Sequence, residues 1–117
     1  MHSLLNISNL TAGYDYGPDI VHDFSLTLNK SEVKCIIGPN GAGKTTLVSL
    51  ICGRTAPSSG RISFKGKDIT GLSSAKRVQD GIVYTFQVTS VFSNLSCYEN
   101  VALSVQRNLR AQQNIQI

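Results

Sequence analysis

Gly38-Pro39-Asn40-Gly41-Ala42-Gly43-Lys44-Thr45 fits the spacing G-x-x-x-x-G-K-[ST], which brings a glycine-rich loop, an ammonium group and a hydroxyl together on one anion. Glycines at 38, 41 and 43 open backbone angles closed to other residues, so successive N–H groups can turn inward around phosphate oxygens. Lys44 adds a mobile point charge for β- and γ-phosphates, and the Thr45 hydroxyl is a ligand for Mg²⁺ between them. The chemistry implied is the holding of a nucleoside triphosphate with its metal ion.

The context expected for such a loop is a strand before it and a helix after it. The apolar run Val33-Lys34-Cys35-Ile36-Ile37 reads as a short buried strand leading in. Leading out, the apolar residues at 47, 48, 50 and 51 mark a helix that begins near Lys44 and aims its N-terminal amides and positive dipole end at the same anion.

Upstream, residues 4–10 and 21–28 alternate as two strands, with a Gly-, Asp- and Pro-containing turn over 11–18 and another turn over 29–32. Downstream, Cys52-Gly53 is a stop signal, and residues 61–64 and 67–69 flank Lys65-Gly66 as a small hairpin. Ser73 or Ser74 caps a short helix over 74–80 that Gly81 ends. Residues 82–86 read as a second buried strand ending at Gln87. Ser96-Cys97-Tyr98-Glu99 has the spacing of a capping box, and apolar residues at 98, 101, 102, 105 and 109 give the following helix one face, a pattern lost beyond Arg110.

Composition narrows the function classes. With 117 residues, 41% hydrophobic and 15% charged, the chain is one globular domain or less. No apolar run approaches a membrane span, and no basic-then-apolar leader opens the chain, so a cytoplasmic location is expected. Residues 1–40 hold two Lys/Arg against four Asp/Glu, and residues 41–117 hold nine against three. The cations are scattered rather than striped or interleaved with aromatics, so no nucleic-acid partner is expected. Cys35, Cys52 and Cys97 lack metal or disulfide spacing and read as core residues. His22 has no nucleophile or paired carboxylate beside it in the sequence and reads as a surface or packing residue.

Taken in order, Gly38 to Leu47, Pro57-Ser58-Ser59-Gly60-Arg61-Ile62, Gly66-Lys67-Asp68-Ile69-Thr70 and Thr85-Phe86-Gln87 resemble the ATP-binding subunit of an ATP-binding cassette (ABC) transporter, over residues 3 to 110. Phe86-Gln87 followed by Val91-Phe92-Ser93-Asn94-Leu95-Ser96 and Glu99-Asn100-Val101 is most similar to importers of branched-chain amino acids or urea. The resemblance implies an α/β P-loop NTPase, present as part of an ABC ATPase domain. Its parts would be an antiparallel β subdomain, a portion of the parallel core sheet, and the start of the helical subdomain at 96–112. It implies ATP and Mg²⁺ as cofactors. ATP would be held by residues 38–45 with Thr46, and the metal by Thr45 and Gln87, Gln87 also reaching the attacking water. Tyr14 resembles the aromatic that stacks on adenine, and an apparent one-residue insertion leaves Tyr16 as the alternative. The implied partners are membrane-spanning permease subunits, met through the loop after Gln87, and a second ATP-binding subunit. The assembled protein would sit on the cytoplasmic face of the membrane.

Two small departures concern single residues: Ser31 stands where the family usually has glycine, and Tyr84 where this subfamily commonly has arginine. The family's L-S-G-G-Q signature, its apolar strand ending in Asp and the catalytic Glu beside it do not occur in these 117 residues. Binding without efficient hydrolysis is therefore expected, together with an open apolar edge that leaves the chain marginally stable or prone to associate. A non-catalytic nucleotide-binding or interaction module, or another P-loop NTPase, is the alternative reading.

Overall fold

The structure, a computed structural model, describes residues 3–13, 17–39, 41–85 and 91–115. The chain divides into two compact units, Met1–Val83 and Tyr84–Ile117.

In the first unit, strands β1 (Ser3–Gly13), β2 (Asp19–Asn29), β3 (Ser59–Phe64) and β4 (Lys67–Asp68) form an antiparallel sheet in the order β2-β1-β3-β4. Leu5 and Ile7 point into the core, and then Leu10 and Ala12 do, so the inward parity of β1 slips by one position. The cause is a bulge. Ile7 pairs with Leu26 but Leu10 with Phe24, placing an extra residue in β1 at Asn9, whose φ is 49°. Ala12 then pairs with Val21, so β2 carries an answering extra residue at Asp23, φ 46°, and the register is restored. Asn9 Nδ2 donates to Asp23 Oδ1 at 2.8 Å, tying the two bulges together. On the other side of β1, Gly60 approaches so closely that a Cβ there would lie 2.5 Å from the Asn9 carbonyl oxygen.

Lys65 and Gly66, both at positive φ, join β3 to β4 as a two-residue hairpin turn requires. Ile69 N donates to Ile62 O at 2.9 Å and extends that ladder by one rung.

Helix α1 (Lys44–Cys52) lays Leu47 and Leu50 into the cluster formed by Ile7, Leu10, Ile62 and Ile69. Each such side chain contributes about 1.5–3 kcal/mol on burial, enough to hold a helix too short to persist alone. Helix α2 (Ser74–Asp80) starts and stops where its sequence signals lie: Ser73 accepts from Lys76 N, and Gly81 closes the end on Arg77 O.

In the second unit, α3 (Cys97–Ile115) opens on the expected capping box. Glu99 N donates to Ser96 Oγ at 3.1 Å, and Ser96 N to Glu99 Oε1 at 3.3 Å. Asn100 adds a clamp that the sequence did not reveal: Phe92 N donates to its Oδ1 at 3.0 Å, and its Nδ2 donates to Ser96 O at 2.8 Å. The helix runs on to Ile115 rather than stopping near Arg110, because Ala, Gln and Arg sustain a helix without any apolar face.

Three further expectations are corrected. Residues 33–37 form no strand: Val33 is 89% exposed and Ile37 93%. Residues 82–85, the described part of the second expected strand, also have no regular structure, and Val83 is exposed. Both would be central strands of a parallel sheet, and the described residues offer neither a parallel neighbour to pair with. Of the three cysteines only Cys52 is buried, where burial pushes its thiol pKa up; Cys35 lies in the unpaired 33–37 segment and Cys97 at the exposed start of α3.

Candidate functional site

The loop expected to hold phosphate leaves the sheet after β2 and runs into α1. Ala42 N donates to Pro39 O at 3.2 Å, closing a turn, and Leu47 N donates to Gly43 O at 2.9 Å, the first bond of the helix. Gly43 is the N-cap at φ 98°, and no side chain caps the first turn. That leaves the helix end open to an outside acceptor, as an anion-holding end requires. Gly43 is fixed by space as well as by conformation, since a Cβ would lie 3.1 Å from Ile20 Cγ2. Strand β2 thereby sets how deep the loop sits.

Lys44 folds back over the loop, its Nζ donating to Gly38 O and to Pro39 O. A Cβ on Gly38 would approach Ala42 Cβ to 3.3 Å, a tight contact, and Lys44 Cδ to 3.9 Å, an ordinary one. Thr45 is exposed at the first turn of α1, while Thr46 turns inward and is buried. Among the described residues, Gly38, Pro39, Gly41, Ala42, Gly43, Lys44 and Thr45 lie at the start of α1, with Thr46 buried next to them, and their donor set suits a phosphate chain with a metal ion. Asn40, Tyr14, Tyr16, Phe86 and Gln87 lie outside the described residues.

Beside the loop, a cavity of 240 Å³ opens between β2 and α1, lined by Ile20, Phe24, Ile37, Lys44 and Leu47 among others. His22 lines its rim and is exposed, in keeping with a surface histidine. The turn before the loop also behaves as its sequence implies. Asn29 N donates to Glu32 Oε2 at 2.8 Å, and this backbone bond, with Lys34 3.5 Å away, holds the Glu32 carboxyl below its usual range. Ser31, between them, has φ 64°.

A family model described as ABC transporter matches residues 21–117. The chain belongs to the ABC transporter family. Among curated relatives, the lipopolysaccharide export system ATP-binding protein LptB of Haemophilus influenzae is 39% identical over 113 residues, 95% of this chain and 46% of that protein. The spermidine/putrescine import ATP-binding protein PotA of Mycoplasma genitalium is 37% identical over 90% of this chain and 18% of its own length. The intermembrane phospholipid transport system ATP-binding protein MlaF of Haemophilus influenzae is 33% identical over 97% of this chain and 43% of its own. The chain spans less than half the length of these relatives. A solved ATP-binding cassette of an ABC transporter aligns with a TM-score of 0.70 at 34% identity, over 77% of this chain and 35% of that one. An ATP-binding subunit of an ABC transporter aligns at 0.80 over 91% of this chain and 43% of that one, at 24% identity, a likeness of fold. The chain is therefore a partial ABC ATPase domain of the P-loop NTPase class, with its antiparallel sheet formed. None of the three relatives bears the name of an importer of branched-chain amino acids or urea, so the narrower resemblance is not what these comparisons carry. Among the described residues, no helix is long and apolar enough to cross a membrane.

Proposed function

We propose that this chain binds ATP with Mg²⁺ through residues 38–46, as the nucleotide-binding part of an ABC transport ATPase. The observation that carries the reading is the glycine-walled loop with the Lys44 ammonium folded across it, opening onto a helix end that no side chain caps. On binding, Lys44 would exchange the carbonyls of Gly38 and Pro39 for phosphate oxygens. The loop amides and the α1 dipole would hold the anion and Thr45 would hold the metal, a role the family resemblance also gives to Gln87. Bound Mg²⁺ supplies charge neutralisation between the phosphates. Tyr14, or Tyr16, stacks on the adenine. Lys44 and Gln87 would support hydrolysis, and the role assigned to residues 38–46 is to hold the nucleotide.

In this reading the assembled protein lies on the cytoplasmic face of a membrane. It pairs with a second ATP-binding subunit and meets permease subunits through the loop after Gln87. Import of branched-chain amino acids or urea is the cargo suggested by Phe86-Gln87 and the segment from Val91 to Val101.

Calorimetric titration of the chain with ATP, with and without Mg²⁺, tests the proposal. Lys44→Ala is expected to weaken binding by about 1.5–3 kcal/mol, the scale of charge-assisted hydrogen bonds, and Thr45→Val to remove the advantage given by Mg²⁺. An affinity unchanged by Lys44→Ala would take the loop out of the site.

A further inference from the structure

We propose that Arg77 is a positioning residue for nucleotide binding, fixing the far end of the helix whose near end completes the phosphate loop. This rests on the nucleotide reading above and extends it to a residue outside the loop. Arg77 is 2% exposed and heads the fully buried side chains in size among the described residues. Its Nη1 donates to Leu50 O at 2.6 Å and to Ile51 O at 3.0 Å, both in the last turn of α1. Its Nε donates to Leu72 O at 3.1 Å and its Nη2 to Thr70 O at 3.1 Å, both in the segment that joins β4 to α2. One guanidinium thus pins the end of α1 to the segment that follows the sheet.

The partners are all carbonyls. A buried cation is costly unless something offsets it, and here the offset comes from carbonyl dipoles, chiefly the negative end of α1. Gly53, directly after α1, leaves the space: a Cβ there would lie 2.9 Å from Arg77 Nε. A cation at the C-terminus of a helix and an anion at its N-terminus act on the same dipole in the same sense. Helix α1 has nine residues, so the two ends are about 14 Å apart along its axis. So short a helix does not hold its shape alone. Its aim at the phosphates depends on Leu47 and Leu50 against the sheet and on Arg77 at its base. Binding through several converging donors tolerates little misplacement, so loosening the base should be felt at the loop.

The test compares wild type, Arg77→Met, Arg77→Lys and Lys44→Ala. ATP and inorganic pyrophosphate affinities are measured well below each protein's melting midpoint, where a role confined to stability leaves the affinity of the folded fraction unchanged. Arg77→Met is expected to weaken both ligands at least about fivefold, and Arg77→Lys, which keeps the charge but not the fork, to recover part of the loss. Folded Arg77 variants with wild-type affinity, beside a weakened Lys44→Ala, would overturn the positioning role and leave the nucleotide reading standing. No ATP binding by wild type would overturn both. If the Arg77 variants do not fold, wild type itself decides through solvent exchange of the Arg77 Nε–H. Ligand binding slows every exchange that needs global opening, so the Ile7 amide in β1 serves as reference: saturating ATP should slow the Arg77 Nε–H by a larger factor than the Ile7 N–H, and equal factors would overturn the proposal.

Discussion

Ser31 holds a left-handed backbone, φ 64°, inside the Asn29–Glu32 turn that precedes the phosphate loop. For a residue with a Cβ that conformation costs about 1–2 kcal/mol, part of which glycine recovers while giving some back as unfolded-state freedom. Ser31→Gly is expected to raise stability by roughly 0.5–1 kcal/mol, read as a higher denaturation midpoint; a fall would mean that the serine side chain supports the turn. Asp68 gives a pH dependence with a definite sign. Hydrogen bonds from Thr70 Oγ1 at 2.6 Å and Thr70 N at 2.9 Å, with Arg61 3.5 Å away, hold its carboxyl below the usual value. Its contribution is therefore present above the unfolded pKa of about 3.9 and is lost as pH falls through its lower folded value. Asp68→Asn should flatten the acid limb of stability against pH. An unchanged acid limb would show the pairing to be inert.

Among the elements, the paired bulges of β1 and β2 restore the register between those strands, and Gly60 is the point where β3 meets them. Gly60→Ala combines φ 96° with a Cβ 2.5 Å from Asn9 O, so a loss of about 2–4 kcal/mol is expected in chemical unfolding, and a loss under 1 kcal/mol would contradict that contact. Sequence signals were most legible where an element's ends are set by its own residues. Ser73 and Gly81 bound α2, Ser96 and Glu99 open α3, and Gly43-Lys44 starts α1, each through a hydrogen bond or backbone angle a few residues long. What the sequence did not disclose is non-local. The answering bulge at Asp23 depends on a strand 14 residues away, and the Arg77 fork on carbonyls 26 and 27 residues back. The one local hint of the bulge, the switch of apolar parity between Ile7 and Leu10, was visible but reads only as imperfect alternation.

Across the whole chain, a folded antiparallel unit with its phosphate loop contrasts with apolar residues that find no cover. Residues 33–37 and 82–83 carry apolar strand patterns without a ladder to join; Ile82 packs against the core cluster, but Val33, Ile37 and Val83 stand exposed, as do the α3 residues Tyr98, Val101 and Val105 along its expected apolar face. An apolar pattern states that a segment is to be covered and leaves open by what, which is why the strand readings failed where the cap readings held. The loop escapes this dependence because its shape is set by its own glycines, by Lys44 and by Ile20 on β2. Its function is therefore open to direct measurement on this chain. Amide chemical shifts followed while ATP and Mg²⁺ are titrated onto the ¹⁵N-labelled protein test the central claim. The account predicts saturable shifts centred on Gly41, Gly43, Lys44 and Thr45 and greatly weakened by Lys44→Ala. Saturable ATP binding that leaves those four amides unmoved would contradict it.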